Sequence, residues 1–153
     1  MTKAGTTGGT VEYYAPVSKT ATTVSIPSTI KAGGITYKVT SVRKDAFKNN
    51  KKLTKITIGS NLKTIGANAF YGCTKLKTVT LGTGVTTVGS KAFYGCKKLT
   101  SITVKTTKLK KIGSSAFKGI GSKATIKVPK TKLKTYTALC KKTGIGKNVK
   151  VKK

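Results

Sequence analysis

The apolar residues of this chain follow a short motif that recurs along most of its length. Leu53, Ile56 and Ile58 are spaced LxxLxL, and the spacing returns at Leu76, Val79, Leu81 and at Leu99, Ile102, Val104. Residues two apart in an extended segment share a face, so the last two of each set predict a short strand with one buried side. Between these strands a second pattern places Ile65, Ala69, Phe70 and Cys73, then Val88, Ala92, Phe93 and Cys96, at offsets of four, five and eight. Those offsets predict a turn of helix. Gly66, Gly89 and Gly113 mark its entry, and Gly72 and Gly95 its exit.

Both patterns belong to one repeat. The Ala-Phe pairs Ala46-Phe47, Ala69-Phe70, Ala92-Phe93 and Ala116-Phe117 lie 23, 23 and 24 residues apart. A fixed period of this length is the signature of a solenoid, in which each coil buries its apolar face only by stacking on the next. The ends depart from the period, as capping units must. The segment 11–16 (VEYYAP) has β-type residues, and Val24-Ser25-Ile26 aligns with Ile56-Thr57-Ile58 as an irregular first coil. A hairpin is expected at Ala32-Gly33-Gly34. At the other end Thr131 is expected to cap a short helix with Leu133, Tyr136, Leu139 and Cys140 on one face, stopped by Gly144. A strand over 149–151 then closes the chain. The expected organisation is a flexible linker over 1–10, an N-terminal β cap over 11–38, repeats over 39–128 and a helix-strand cap over 129–153.

Charge changes the picture more than composition does. A chain of 153 residues with 37% apolar content fits one domain, but 32 Lys and Arg face two acids and no His, for a formal charge of +30. Arg43 is the sole arginine. Lysine is a mobile, hydrated point charge, whereas planar reading of phosphate or guanine favours arginine. Diffuse attraction to polyanions is the expectation. There is no apolar run of about 18 residues, so no membrane span is expected, and MTKAGTTGG lacks the apolar centre of a signal peptide. The chain reads as a mature fragment.

Catalysis lacks its usual parts. With Glu12 and Asp45 as the only carboxylates and no His, neither a His-based triad nor a His or carboxylate metal site can be assembled. Glu12 also falls in the irregular N-terminal region and Asp45 on the helical side of the first regular coil, against a paired-carboxylate glycosidase. No phosphate-binding loop occurs, and Gly82-Thr83-Gly84 is a turn between coils. No enzyme activity, cofactor or metal is expected. Cys73 and Cys96 sit at equivalent positions one coil apart, a spacing compatible either with a disulfide or with two small apolar core residues.

The polar positions of the repeat define two candidate surfaces. Between the inward residues of the strands lie Lys55 and Thr57, Thr78 and Thr80, Ser101 and Thr103, then Thr125 and Lys127. Stacking predicts two columns, mostly of hydroxyl groups, on the outer face of a sheet. Either they reflect strand propensity and solubility or they offer a flat face to a glycan or protein. Lys52, Lys75 and Lys98 recur every 23 residues ahead of each strand, with Lys51 and Lys97 beside them. This predicts a ladder of like charge with a rise of about 5 Å, suited to a linear polyanion. Sixteen of the 32 basic residues lie from Lys105 onward, and no acid follows Asp45.

The phrases IGANAFYGCTKLKTVTL and VGSKAFYGCKKLTSITV resemble the BspA-like leucine-rich repeat of bacterial surface proteins. The resemblance covers about Val24 to Val128, and the tail from Lys123 is similar to the C-terminal ends of such proteins from gut bacteria. It implies an α/β repeat, a curved right-handed leucine-rich-repeat solenoid, with export to the bacterial surface and a role in adhesion or binding without catalysis. The expected partners are an anionic polysaccharide or wall polymer, or a host surface protein. Nonspecific nucleic-acid binding and a purely structural spacer are the alternatives. With both ends capped, a monomer is expected.

Overall fold

A computed structural model describes residues 9–14 and 20–153. Strands β1 (Thr10–Tyr13), β2 (Thr23–Ile26), β3 (Thr29–Ala32) and β4 (Ile35–Val42) form the N-terminal region. Each later coil adds a longer and a shorter strand: β5 (Lys55–Ile58) and β6 (Thr64–Ile65), β7 (Thr78–Leu81) and β8 (Thr87–Val88), β9 (Ser101–Val104) and β10 (Lys111–Ile112). Strand β11 (Thr125–Lys127), helix α1 (Leu133–Lys141) and β12 (Lys150–Lys152) close the chain. The longer strands pair in parallel in the order β12-β11-β9-β7-β5-β2, and the shorter ones in the order β1-β4-β6-β8-β10, with β3 antiparallel to β4. Each of these three coils thus contributes one rung to each of two sheets, while β11 and β12 extend the long-strand sheet alone.

Burial follows the apolar pattern closely. Ile65, Phe70, Cys73, Leu76, Val79 and Leu81 are all fully buried, as are their counterparts Val88, Phe93, Cys96, Leu99 and Ile102. Phe47, Phe70, Phe93 and Phe117 stack along the axis with centroids 5.1, 5.1 and 5.6 Å apart. Carbon atoms touch at about 3.5–4.0 Å, so rings at this spacing are tilted and slipped past one another, the favoured offset arrangement. This aromatic column runs through the centre of the solenoid.

The segment between the sheets is not helical. In the coil 66–73 the N–H groups of Ala69, Tyr71 and Cys73 donate back three residues, to Gly66, Asn68 and Phe70. The N–H groups of Asn68, Phe70 and Gly72 donate sideways, to the carbonyls of Ser90, Ala92 and Tyr94 in the next coil. A left-handed residue recurs at the same place in each coil, as Asp45, Asn68, Lys91 and Ser115. It reverses the backbone so that alternate donors face the neighbouring coil. The offsets of four, five and eight therefore reflect a chain of turns, and the lateral bonds satisfy groups that a helix would satisfy internally. The glycines entering these turns owe their place to contact. A Cβ on Gly66 would lie 2.5 Å from the Lys44 nitrogen, and one on Gly89 2.6 Å from that of Ala67.

The caps differ from expectation in detail. Val24, Ser25 and Ile26 pair with Ile56, Thr57 and Ile58 as the alignment requires. Gly33 and Gly34, both at positive φ (56° and 76°), make the two-residue turn between β3 and β4. β4 continues from this hairpin into the first regular coil without a break. The linker expected over 1–10 lies outside the described residues except for Gly9 and Thr10, and Thr10 already belongs to β1; Pro16 is also outside them. At the C-terminal end Thr131 sits inside a 3₁₀ turn (Lys130–Lys132), and the helix begins at Leu133 with no side-chain cap. Packing holds this helix in place instead. Tyr136 and Cys140 are buried, and the Tyr136 hydroxyl donates to the Thr106 carbonyl (3.1 Å) while accepting from the Leu109 N–H (2.9 Å). The final strand is shifted one residue from expectation, to Lys150–Lys152, and pairs with β11.

Candidate functional site

Two columns stand on the outer face of the long-strand sheet because parallel pairing in register puts equivalent residues side by side. One runs Thr23, Lys55, Thr78, Ser101, Thr125, Lys150, and the other Ser25, Thr57, Thr80, Thr103, Lys127, Lys152. All eight residues expected from the repeat are brought together. The columns extend one coil further each way, to Thr23 and Ser25 and to Lys150 and Lys152. Lys55 and Lys127 are exposed and the hydroxyl residues between them half-buried. Among these residues there is no aromatic ring, so the face offers hydrogen bonds and charge but no platform for a sugar.

The lysine ladder occupies the position three residues ahead of β5, β7 and β9. Counting back from the paired residues Lys55, Thr78, Ser101, Thr125 and Lys150 gives Lys52, Lys75, Lys98, Ser122 and Lys147. Lys51, Lys52, Lys75, Lys97 and Lys98 are all exposed. Lys51 is nevertheless engaged, its Nζ donating to the Gly72 carbonyl of the next coil at 2.9 Å. Lys97 and Lys98 line a shallow depression of about 400 Å³ together with Lys77, Thr100 and Lys123. A second depression, about 520 Å³, is lined by Lys123, Thr125, Lys147, Asn148, Lys150 and Lys152.

Lys77, Lys123, Lys147, Lys150 and Lys152 escape a search by fixed period. The strand register advances by 23 residues twice, then by 24 and 25. For all of these but Lys77, the density of lysine beyond Lys105 was the available signal, but only the pairing assigns them to a face.

The two acids lie in the N-terminal coils. Glu12 accepts from the Ser41 hydroxyl at 3.2 Å, and Asp45 lies 3.6 Å from the Lys48 Nζ. Among the described residues no group of three or more His, Cys, Asp or Glu is placed to hold a metal ion. Cys73, Cys96 and Cys140 are free and buried. The Cys73 and Cys96 thiols donate to the carbonyls of Phe47 and Phe70 (3.1 and 3.2 Å), one coil back. Burial pushes the Cys73 thiol up to about 12, against a weaker opposite pull from Asn50 and Lys51, and that of Cys140 up to about 11. The Cys73 and Cys96 sulfurs are core atoms with a local partner, the second of the two readings their spacing allowed.

Parallel coils, each with one LxxLxL strand and a chain of turns around an aromatic column, define a leucine-rich-repeat solenoid. The chain belongs to the BspA-type leucine-rich repeat family: the family's region of six repeat copies matches residues 19–145. Solved structures agree. A leucine-rich repeat protein from Bacteroides ovatus is 32% identical, with 71% of this chain and 30% of that one covered, at a TM-score of 0.59. One from Bacteroides capillosus is 24% identical (79% and 88% covered, TM-score 0.67). A leucine-rich cell surface protein from Faecalibacterium prausnitzii is 23% identical (94% and 38% covered, TM-score 0.60). The match thus spans about 30% of the length of the Bacteroides ovatus protein. No curated protein sequence matches the chain. Among the described residues no helix is long and apolar enough to cross a membrane.

Proposed function

We propose that this chain is a noncatalytic binding module of a bacterial surface protein, and that its basic side holds an extended anionic polymer such as a wall polymer or glycosaminoglycan. The observation that carries the reading is the lysine ladder, exposed and in register over three successive coils, with no side-chain carboxylate after Asp45. Like charges about 5 Å apart repel by roughly 0.8 kcal/mol per pair in water, and a polymer of opposite charge removes that repulsion along its whole length. Repetition of this kind suits extended ligands better than small ones. The cell-surface description of the Faecalibacterium prausnitzii protein, which shares the fold, supports the compartment. A net charge of +30 opposes self-association and supports a monomer.

A host protein is the second reading, supported by the registered hydroxyl columns on the same sheet. Nucleic acid is expected to bind only incidentally at low salt, because phosphate neutralisation is sequence-independent and the chain carries one arginine. Titration of heparin tests the main reading. Affinity should fall steeply between about 0.05 and 0.5 M salt, as counterion release requires. No binding at the lower concentration, or binding indifferent to salt, would sink it.

A further inference from the structure

The lysine ladder and the lysines of the sheet face converge on one residue. Lys123, in the turn ahead of β11, lines both depressions, joining Lys97 and Lys98 on one side to Lys147, Lys150 and Lys152 on the other. We propose, resting on the polyanion reading above, that the polymer is seated at this C-terminal basin, with Lys98, Lys123, Lys147, Lys150 and Lys152 holding its anionic groups, and that the ligand is a linear chain bearing one phosphate or sulfate per short, nonaromatic repeat.

Four observations support the basin over the rest of the ladder. Positive groups neighbour one another there along a strand as well as across strands. Lys127 and Lys152 are paired neighbours across β11 and β12, about 4.8 Å apart at the backbone, and Lys150 and Lys152 lie two residues apart on one strand, at about 6.7 Å. Their charge is also uncompensated by side chains. Glu12 and Asp45 lie toward the N-terminal end, Asp45 two coils from Lys98 and about four from Lys147, roughly 10 to 20 Å at about 4.8 Å per coil and beyond the screening length of about 8 Å at physiological salt.

The N-terminal end of the same surface is poorer in free charge. Its column positions are Thr23 and Ser25, and Lys51 is bonded to Gly72. Finally, the basin supplies neutral donors at Thr125 and Asn148 but no aromatic ring. Bases of single-stranded nucleic acid bind largely by stacking on aromatic rings, so an unstacked polymer is the better match. Lysines without a fixed plane accept anionic oxygens from many directions, as a flexible chain presents them.

Two triple variants of equal charge change separate a seat from diffuse attraction: K123Q/K147Q/K150Q in the basin and K51Q/K52Q/K75Q at the other end of the ladder. Both are titrated with poly(glycerol phosphate) and with heparin, after circular dichroism confirms an unchanged fold. With a slope of about 0.7 per phosphate contact against log salt, losing three contacts at about 0.15 M salt weakens binding about 50-fold. The basin variant should show that loss in full, and the ladder variant, whose lysines flank the seat, a smaller one of about tenfold or less. Whichever polymer loses more affinity in the basin variant identifies the source of the anionic groups. Equal losses in the two variants overturn the seat while leaving polyanion binding intact. Absence of wild-type binding to either polymer overturns both. Tighter wild-type binding of a single-stranded DNA of equal charge overturns the nonaromatic assignment.

Discussion

Replacing Phe93 by Leu tests whether the aromatic column, and not burial alone, holds the coils together. Phe93 is fully buried between two rings, Phe70 at 5.1 Å and Phe117 at 5.6 Å. Leucine keeps much of the apolar contact and removes both ring pairs. Each offset pair contributes about 0.5–1.5 kcal/mol beyond its buried area, so F93L should cost about 1–3 kcal/mol. F117L removes the Phe93 pair alone and should cost about half as much. F93A adds the cavity and should cost about 3–5 kcal/mol, a fall in melting temperature of roughly 10 °C for a chain of this size. Each coil touches only its neighbours, so damage at Phe93 weakens two interfaces and should broaden the urea transition as the halves uncouple. Urea unfolding followed by circular dichroism reads all three variants. Equal costs for F93L and F117L, or an F93L variant within about 0.5 kcal/mol of wild type, would refute the argument that stacking contributes separately.

Other perturbations probe features specific to the fold. G89A should destabilise by about 2 kcal/mol or more, because its Cβ would meet the Ala67 nitrogen at 2.6 Å, whereas G146A, whose nearest neighbour is the Val149 Cγ2 at 3.9 Å, should be nearly neutral; thermal melts compare them. Y136F strands the buried Leu109 N–H and Thr106 carbonyl and should cost about 1–3 kcal/mol by urea titration, while Y14F, on an exposed ring, should cost nothing measurable. The Cys73 thiol is raised from 9.0 to about 12 by burial, so its contribution is complete below about pH 9 and declines as pH rises toward 12, at about 1.4 kcal/mol per unit. The stability gap between wild type and C73A should therefore narrow over about pH 9 to 11; parallel curves would contradict the shift.

The repeat could be read from the chain because the information is local and redundant. LxxLxL places Val79 and Leu81 on one side of a short strand, and four Ala-Phe pairs fix the coil length without reference to anything distant. Buried positions, strand register and the outward columns from Lys55 to Lys127 all descend from that period. The turn segment was harder to read, because its donors are satisfied in the next coil. Offsets of four and five cannot distinguish a helix, bonded within itself, from turns such as Asn68 to Gly72, bonded to residues more than twenty positions away.

The candidate surface divides along the same line. Lys52, Lys75 and Lys98 are visible as a ladder because they share one interval with the core. Lys123, Lys147, Lys150 and Lys152 come together only because the register slips to 24 and then 25 residues and the chain returns, after α1, to add β12 beside β11. That return depends on nonlocal contacts, among them the Tyr136 hydroxyl held between Thr106 and Leu109. A period written into the residues specifies how identical coils stack, since each meets a copy of itself. Where the last coil meets a cap unlike itself, only the packing of helix and strand decides which charges become neighbours.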